Sequence, residues 1–171
     1  MKRIYNFNAG PAMLPLEVLQ EVQAELLDLQ GSGMSILEMS HRAPVYEKIN
    51  AEAETDIKEL LGLGDDYCVL FMGGGASLQF SMVPMNFLGA GQTAAYAVTS
   101  NFSDKAVKEA EKVGNVVVPF SSKAEKYDRV PQPGEIRLPE NCAYLHITAN
   151  NTIEGTEYSV YPETGEVPLI A

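Results

Sequence analysis

Leu16, Leu19, Val22, Leu26 and Leu29 recur at three- and four-residue spacing behind Pro15. That pattern predicts a helix whose first turn holds Pro15 and whose end lies at Gly31. A second amphipathic run, over 44–61, places Val45, Ile49, Ala53, Ile57, Leu60 and Leu61 on one face, with Gly62 beyond it. Residues 1–14 read as irregular, with a turn at Asn8-Ala9-Gly10-Pro11, and a loop of mixed chemistry, Gly33 to Arg42, separates the two helices. From Tyr67 onward the period changes. Tyr67 to Met72 reads as a short apolar strand ending in Gly73-Gly74-Gly75, and Ala76 to Leu88 as a helix interrupted by Pro84. Ala94 to Thr99 is strand-like, Ser103 is the expected N-cap of a helix over 104–113, and Gly114 closes that helix. Asn115 to Phe120 and Ala143 to Thr148 are the next strands, separated by a proline-bearing loop over 121–139.

Strands alternating with helices imply an α/β fold with a mostly parallel sheet and flanking helices. In such sheets ligands bind beyond the carboxyl ends of the strands. Three polar loops are expected there: 73–77, 100–103 and 149–152.

The composition narrows the function classes. The chain has 171 residues, 46% of them hydrophobic, enough for one sizeable core and too many for a disordered chain. Twelve Lys and Arg against 23 Asp and Glu give a net charge of −11, with no basic run. Nucleic acid and anionic membrane are therefore poor partners, and an anionic ligand needs a local site working against the global field. Met1-Lys2-Arg3 is basic, but no hydrophobic stretch follows it, so neither a targeting segment nor a membrane span is expected and the compartment reads as cytoplasmic. Cys68 and Cys142 both lie in apolar runs and are expected to be buried free thiols.

Gly73-Gly74-Gly75-Ala76-Ser77 offers glycine backbone for close approach and the free N–H groups of a helix start, with the Ser77 hydroxyl beside them. It is neither a Walker A loop nor a full dinucleotide fingerprint, since Leu78 stands at the third glycine. Taken singly, each candidate has a bland alternative: the glycines a tight turn, Phe102 a core aromatic, Thr152 a turn residue, His41-Arg42 a solvated pair. Together the strand-end loops supply an anion cradle, an aromatic face and a hydroxyl, as a phosphorylated planar cofactor requires. A nucleotide and flavin mononucleotide both satisfy that description, so the residues alone do not name the ligand.

Tyr5-Asn6-Phe7-Asn8-Ala9-Gly10-Pro11-Ala12-Met13-Leu14-Pro15, Glu38-Met39-Ser40-His41-Arg42, Gly73 to Phe80 and Asn150-Asn151-Thr152-Ile153-Glu154-Gly155-Thr156 occur in an order and spacing that resemble the phosphoserine aminotransferases. The resemblance covers essentially the whole chain. It implies the large domain of a fold-type-I pyridoxal-phosphate enzyme, with residues 1–15 joining a small domain and 16–171 forming part of the cofactor-binding domain. It also implies a homodimer that exchanges an amino group between glutamate and a phosphorylated 2-oxo acid, in serine biosynthesis and in many bacteria also pyridoxine biosynthesis. Carried over by residue, Ala76 and Ser77 would hold the cofactor phosphate, Phe102 would stack on the pyridine ring, and Thr152 would bond near the ring oxygen. Arg42 would bind a substrate carboxylate, with His41 at the phosphate end.

Many relatives carry Trp where Phe102 stands, and one branch carries Arg where this chain has Ser77, so an anion contact of that branch is missing. The Schiff-base lysine of the family is expected beyond residue 171. No lysine of this chain sits in the matching strand-end context, and those from 105 to 126 read as solvated charges. The chain is therefore expected to be the N-terminal half of such an enzyme, inactive alone. The alternatives are a free-standing phosphate- or nucleotide-binding module, and a related aminotransferase acting on a non-phosphorylated substrate.

Overall fold

A computed structural model describes residues 3–171; Met1 and Lys2, with the start of the basic opening, lie outside the described residues. The chain divides into two compact units, residues 1–71 and 72–171.

The first unit contains helices α1 (Leu16–Glu25) and α2 (Pro44–Leu61). α2 matches its predicted span: Pro44 begins it, where a missing N–H costs nothing, and Gly62 ends it in the left-handed conformation. α1 is shorter than its apolar period suggests. Pro15 is its N-cap, and the helix stops at Glu25 rather than running to Gly31. Leu29 leaves the helical path to be buried in the following turn, where its N–H donates to the Met34 carbonyl at 3.0 Å. The Asp28 carboxylate accepts from the Gly33 N–H at 2.8 Å, and these local bonds replace the helix continuation. The Tyr67–Met72 run forms no strand: it is extended without a ladder partner, and Tyr67, Leu70, Phe71 and Met72 are exposed. Cys68 lies in this run and is exposed, contrary to the expectation of a buried thiol; Cys142 is half-buried, and both are free.

The second unit is built on strands β1 (Thr93–Val98), β2 (Asn115–Ser121), β3 (Cys142–His146) and β6 (Leu169–Ile170). They form a parallel sheet in the order β2-β1-β3-β6, as the alternating pattern predicts. The short antiparallel hairpin of β4 (Asn150–Asn151) and β5 (Thr156–Glu157) stands apart from it. Helices α3 (Gly75–Phe87) and α4 (Asn101–Ala110) complete the unit. Pro84 does not interrupt α3; it is buried within a helix that continues to Phe87. α4 starts earlier than expected, because Ser100 rather than Ser103 is the N-cap.

The core lies on both faces of the central strands, as a covered parallel sheet requires. Ala94, Tyr96 and Val98 point to one side, against Ala106, Val107 and Ala110 of α4 and Phe80 and Val83 of α3. Ala95 and Ala97 point to the other, with Phe120, Leu145, Ile147 and Tyr158. β2, at the sheet edge, tolerates Pro119 because its register against β1 shifts there: Ala95 pairs with Val117 and Ala97 with Phe120, leaving an extra residue in β2.

Three polar rings share the buried centre. The hydroxyls of Tyr96 and Tyr144, both fully buried, lie 2.8 Å apart, and their rings meet edge to face at 5.8 Å. His146 stacks on Tyr96 at 4.8 Å and 24°. Its Nδ1 is buried without a hydrogen-bond partner, and burial lowers its pKa from the usual 6.5 to about 4.

The tyrosine pair yields a test. Tyr96→Phe should destabilise the fold by about 1–3 kcal/mol, because the Tyr144 hydroxyl is left buried and unpaired. Removing both hydroxyls in Tyr96→Phe/Tyr144→Phe should cost clearly less than the sum of the single changes, as read by urea denaturation. Additive losses would mean that the two hydroxyls are satisfied independently.

His146 adds a pH dependence of definite sign. The unfolded imidazole takes up a proton near pH 6.5, which the folded one refuses until about pH 4. Stability from this group is therefore complete above pH 6.5, falls as the pH drops through the window, and levels off below about 4. The full loss is about 3 kcal/mol from a shift of that size. Urea midpoints of the chain and of His146→Phe should diverge across pH 7 to 4, the variant declining less. Parallel curves would mean that the imidazole titrates freely.

Candidate functional site

A cleft of about 600 Å³ opens at the carboxyl ends of β3 and β6, where the strand-end argument expects a ligand. Ala76, Gln79, Phe80 and Val83 line one wall, at the spacing of a single face of α3. Phe102, from the first turn of α4, lines it as well, and so do His146 to Asn150, running out of β3. Ile170 and Ala171 complete the lining.

The start of α3 reaches this space by an unusual turn. Gly74 is its N-cap at φ +86° and Gly75 follows at φ +57°. A side chain at Gly74 would be strained by that backbone and would collide with Leu78. No side chain caps the helix, and its first turn carries no acidic residue. The N–H groups of Gly75, Ala76 and Ser77 therefore stand at the positive end of a thirteen-residue helix without an intrahelical acceptor. A Cβ added at Gly75 meets nothing within 4 Å, so there is open space beside that residue.

Phe102 owes its place to the β1–α4 junction. The Ser100 hydroxyl accepts from the Ser103 N–H at 3.0 Å, while the Ser103 hydroxyl accepts from the N–H groups of Ser100 and Thr99 at 2.8 and 2.9 Å. Ser103 is thus not the cap but its reciprocal partner in a capping box, three residues after the observed cap Ser100. Phe102 is half-buried, and the Lys105 ammonium lies 5.4 Å from its ring centroid.

Behind the cleft lies a polar layer with unused capacity. Asn151 is fully buried; its amide donates to Thr99 Oγ1 at 3.3 Å and Thr156 Oγ1 at 2.9 Å, while its Oδ1 has no partner. The Thr148 hydroxyl is buried and unpartnered too. Burial raises the Tyr158 phenol pKa; Thr99 is close enough to offset part of the rise but lies outside hydrogen-bonding geometry.

Of the predicted site residues, Ala76 and Phe102 line the cleft. Ser77 is exposed beside Ala76, and Thr152 is exposed in the β4–β5 turn; neither is a lining residue. His41 and Arg42 belong to the first unit, both exposed, in the turn between a 3-10 turn capped by Ser35 and the start of α2. The Ser40 hydroxyl accepts from the Arg42 N–H at 3.2 Å. The glycine turn follows an extended segment rather than the expected strand, since 67–72 does not pair.

His146, Thr148, Gln79 and Phe80 are lining residues that sequence reasoning missed. Gln79 and Phe80 were available from helical periodicity, three and four residues beyond Ala76. His146 carried no such signal within an apolar strand. Among the described residues no lysine lines the cleft, and no cluster of three or more His, Cys, Asp or Glu is set to hold a metal. Lys108 and Lys123 pair with Asp104, and Lys112 with Glu109, at the surface. No described helix is long and apolar enough to cross a membrane.

The chain is similar to known aminotransferases along nearly its whole length. A phosphoserine aminotransferase of Niallia circulans is 55% identical over 169 residues, covering 99% of this chain and 47% of that protein. The solved phosphoserine aminotransferase from Bacillus circulans subsp. alkalophilus has a TM-score of 0.93 at 54% identity, covering 98% of this chain and 46% of the other. A PLP-bound phosphoserine aminotransferase from Trichomonas vaginalis has a TM-score of 0.85 at 37% identity, covering 98% of this chain and 47% of that one. The chain spans about half the length of the curated relatives it matches. The aminotransferase class-V profile matches residues 4–166, nearly the whole chain, and the chain belongs to that family.

Proposed function

We propose that the chain carries the pyridoxal-phosphate-binding part of a phosphoserine aminotransferase. In this reading residues 1–15 join a small domain and 16–171 form part of the cofactor-binding large domain. The observation that carries it is the cleft in which the uncapped start of α3 and the ring of Phe102 face one space, with unpartnered polar atoms at its floor. Those groups suit a phosphorylated, planar, polar ligand. The likeness to a PLP-bound relative over 98% of this chain supports the same choice over a nucleotide or flavin.

The cofactor phosphate is assigned to the N–H groups of Gly75, Ala76 and Ser77, with the Ser77 hydroxyl. These fixed dipoles hold an anion despite the chain's net charge of −11. Phe102 supplies a stacking face for the ring, and Thr152 a hydroxyl near the ring oxygen. When bound, the cofactor supplies an electron sink for charge developing on the substrate. His146, buried at the cleft floor with its pKa lowered to about 4, adds no positive charge there at neutral pH. Phe80 and Val83 on α3, and Ile147 beyond β3, present apolar surface to the cleft. Arg42 grips a substrate carboxylate with its planar fork of donors, and His41 serves the phosphate end. The substrates are glutamate and a phosphorylated 2-oxo acid, 3-phosphohydroxypyruvate, in a homodimer serving serine biosynthesis. The lysine that binds the cofactor covalently is expected beyond residue 171.

The protein as naturally produced should transfer the amino group of glutamate to 3-phosphohydroxypyruvate; absence of that transfer, with pyridoxal phosphate bound, would overturn the substrate assignment. Arg42→Ala should weaken substrate binding by about 1.5–3 kcal/mol, the range for charged hydrogen bonds, and leave cofactor affinity unchanged. Equal loss of both, in steady-state kinetics and cofactor titration, would make Arg42 structural.

Phe102 should behave in the opposite way. Phe102→Ala should lower cofactor affinity roughly three- to tenfold, the scale of one aromatic stacking contact, while Phe102→Trp retains it. Unchanged affinity in the alanine variant would return Phe102 to a core role.

A further inference from the structure

Glu154 sits in the turn between β4 and β5, half-buried, at the far end of the polar layer behind the cleft. One of its carboxylate oxygens accepts two hydrogen bonds from Asn101, at 3.1 Å from the backbone N–H and 3.0 Å from the side-chain amide. Asn101 is the first residue of α4, whose N–H has no intrahelical acceptor. Ser100 already spends its hydroxyl on Ser103, so the Asn101 N–H depends on an acceptor from elsewhere. A carboxylate at that point also meets the positive end of the helix. Its other oxygen is buried and unpartnered.

The hairpin has a second anchor on the same junction. Asn151, at its other root, donates to Thr99, the residue before the N-cap. The β1–α4 junction is thus tied to the hairpin at Thr99 and at Asn101, through Asn151 and Glu154. Phe102 directly follows one tie point, and Thr152 lies between the two hairpin residues that make them. Gly155, next to Glu154, has φ +76°, so the turn has an adaptable neighbour once the carboxylate is lost.

We infer that Glu154 is a positioning residue: by holding the start of α4 against the β4–β5 turn, it fixes where Phe102 stands in the cleft lining and so shapes the ring-binding half of the cleft. This inference rests on the cofactor assignment made above. It separates the cleft into two parts with different dependencies. The phosphate end, on α3, stands apart from the Asn101–Glu154 bonds; the ring end, on α4 and the hairpin, relies on them.

The test uses pyridoxine 5′-phosphate, which has the ring and phosphate but no aldehyde, beside inorganic phosphate, in the protein as naturally produced. Affinity for the first is read by calorimetry, and for the second by NMR shifts of the Ala76 and Ser77 amides. Glu154→Ala should weaken pyridoxine 5′-phosphate about tenfold, the scale of lost hydrogen bonds to a charged group, and leave phosphate within about twofold. Glu154→Gln keeps an acceptor for the Asn101 N–H and should restore most of the loss. Asn101→Ala, which keeps its N–H bond, should give a smaller loss of the same selectivity. Unchanged affinity for the ring compound in Glu154→Ala, or an equal loss of both probes, would overturn the positioning role alone. Failure of the unsubstituted protein to bind pyridoxine 5′-phosphate would overturn the cofactor assignment, and this inference with it.

Discussion

The reciprocal bonds between Ser100 and Ser103 turn the central strand of the sheet into a helix without leaving a buried donor unpaired. Both serines are fully buried at the carboxyl end of β1, where a chain reversal exposes several N–H groups to an apolar interior. Two hydroxyls satisfy the N–H groups of Thr99, Ser100 and Ser103 within five residues. Each such group left unpaired would cost about 1–3 kcal/mol, so the junction has little freedom to adopt another path. Phe102 takes its position from it, the Thr99 hydroxyl receives Asn151 from it, and Asn101 presents its N–H to Glu154 from it. One end of the cleft is therefore an outgrowth of a capping box.

The other end is built on a different principle. α3 begins with two glycines in left-handed conformations and no capping side chain, so its N–H groups remain unclaimed. Most helices fill that position with Ser, Thr, Asp or Asn, gaining stability from the bond. Leaving it open is consistent with a ligand as the cap. In a chain with an excess of eleven negative charges, backbone dipoles are a suitable device, because they act over one helical turn and leave the net charge untouched. The surface lysines do not perform this task; Lys108, Lys112 and Lys123 are engaged with Asp104 and Glu109.

Polar groups in the core follow the same economy. Tyr96 and Tyr144 spend their hydroxyls on each other, and burial raises the pKa of both phenols. His146 meets burial by remaining neutral, stacked against Tyr96 at the floor of the cleft. A sheet buried on both faces is thereby able to carry three polar rings at its centre while presenting a largely apolar wall to the ligand space.

The parallel α/β architecture was legible in the order of apolar runs, since a period of two alternating with a period near 3.6 leaves few other arrangements. The span of α2 was equally legible, because Pro44 and Gly62 mark its ends by backbone geometry alone. The motif around Gly73 to Ser77 and the aromatic at Phe102 were visible too, and Ala76 of the first and Phe102 line the cleft. Local pattern was insufficient wherever a tertiary partner decided the outcome. Leu29 continues the helical period of α1, yet turn bonds through Asp28 and Met34 take it out of the helix. Tyr67 to Met72 has a strand's composition but, among the described residues, no neighbouring strand to complete its ladder. Ser100 and Ser103 are equally good caps by residue type, and only the course of β1 into the interior selects Ser100. The roles of His146 and Glu154 were invisible for the same reason. Each depends on a residue about fifty positions away, Tyr96 for the one and Asn101 for the other, and only folding brings such pairs within bonding distance.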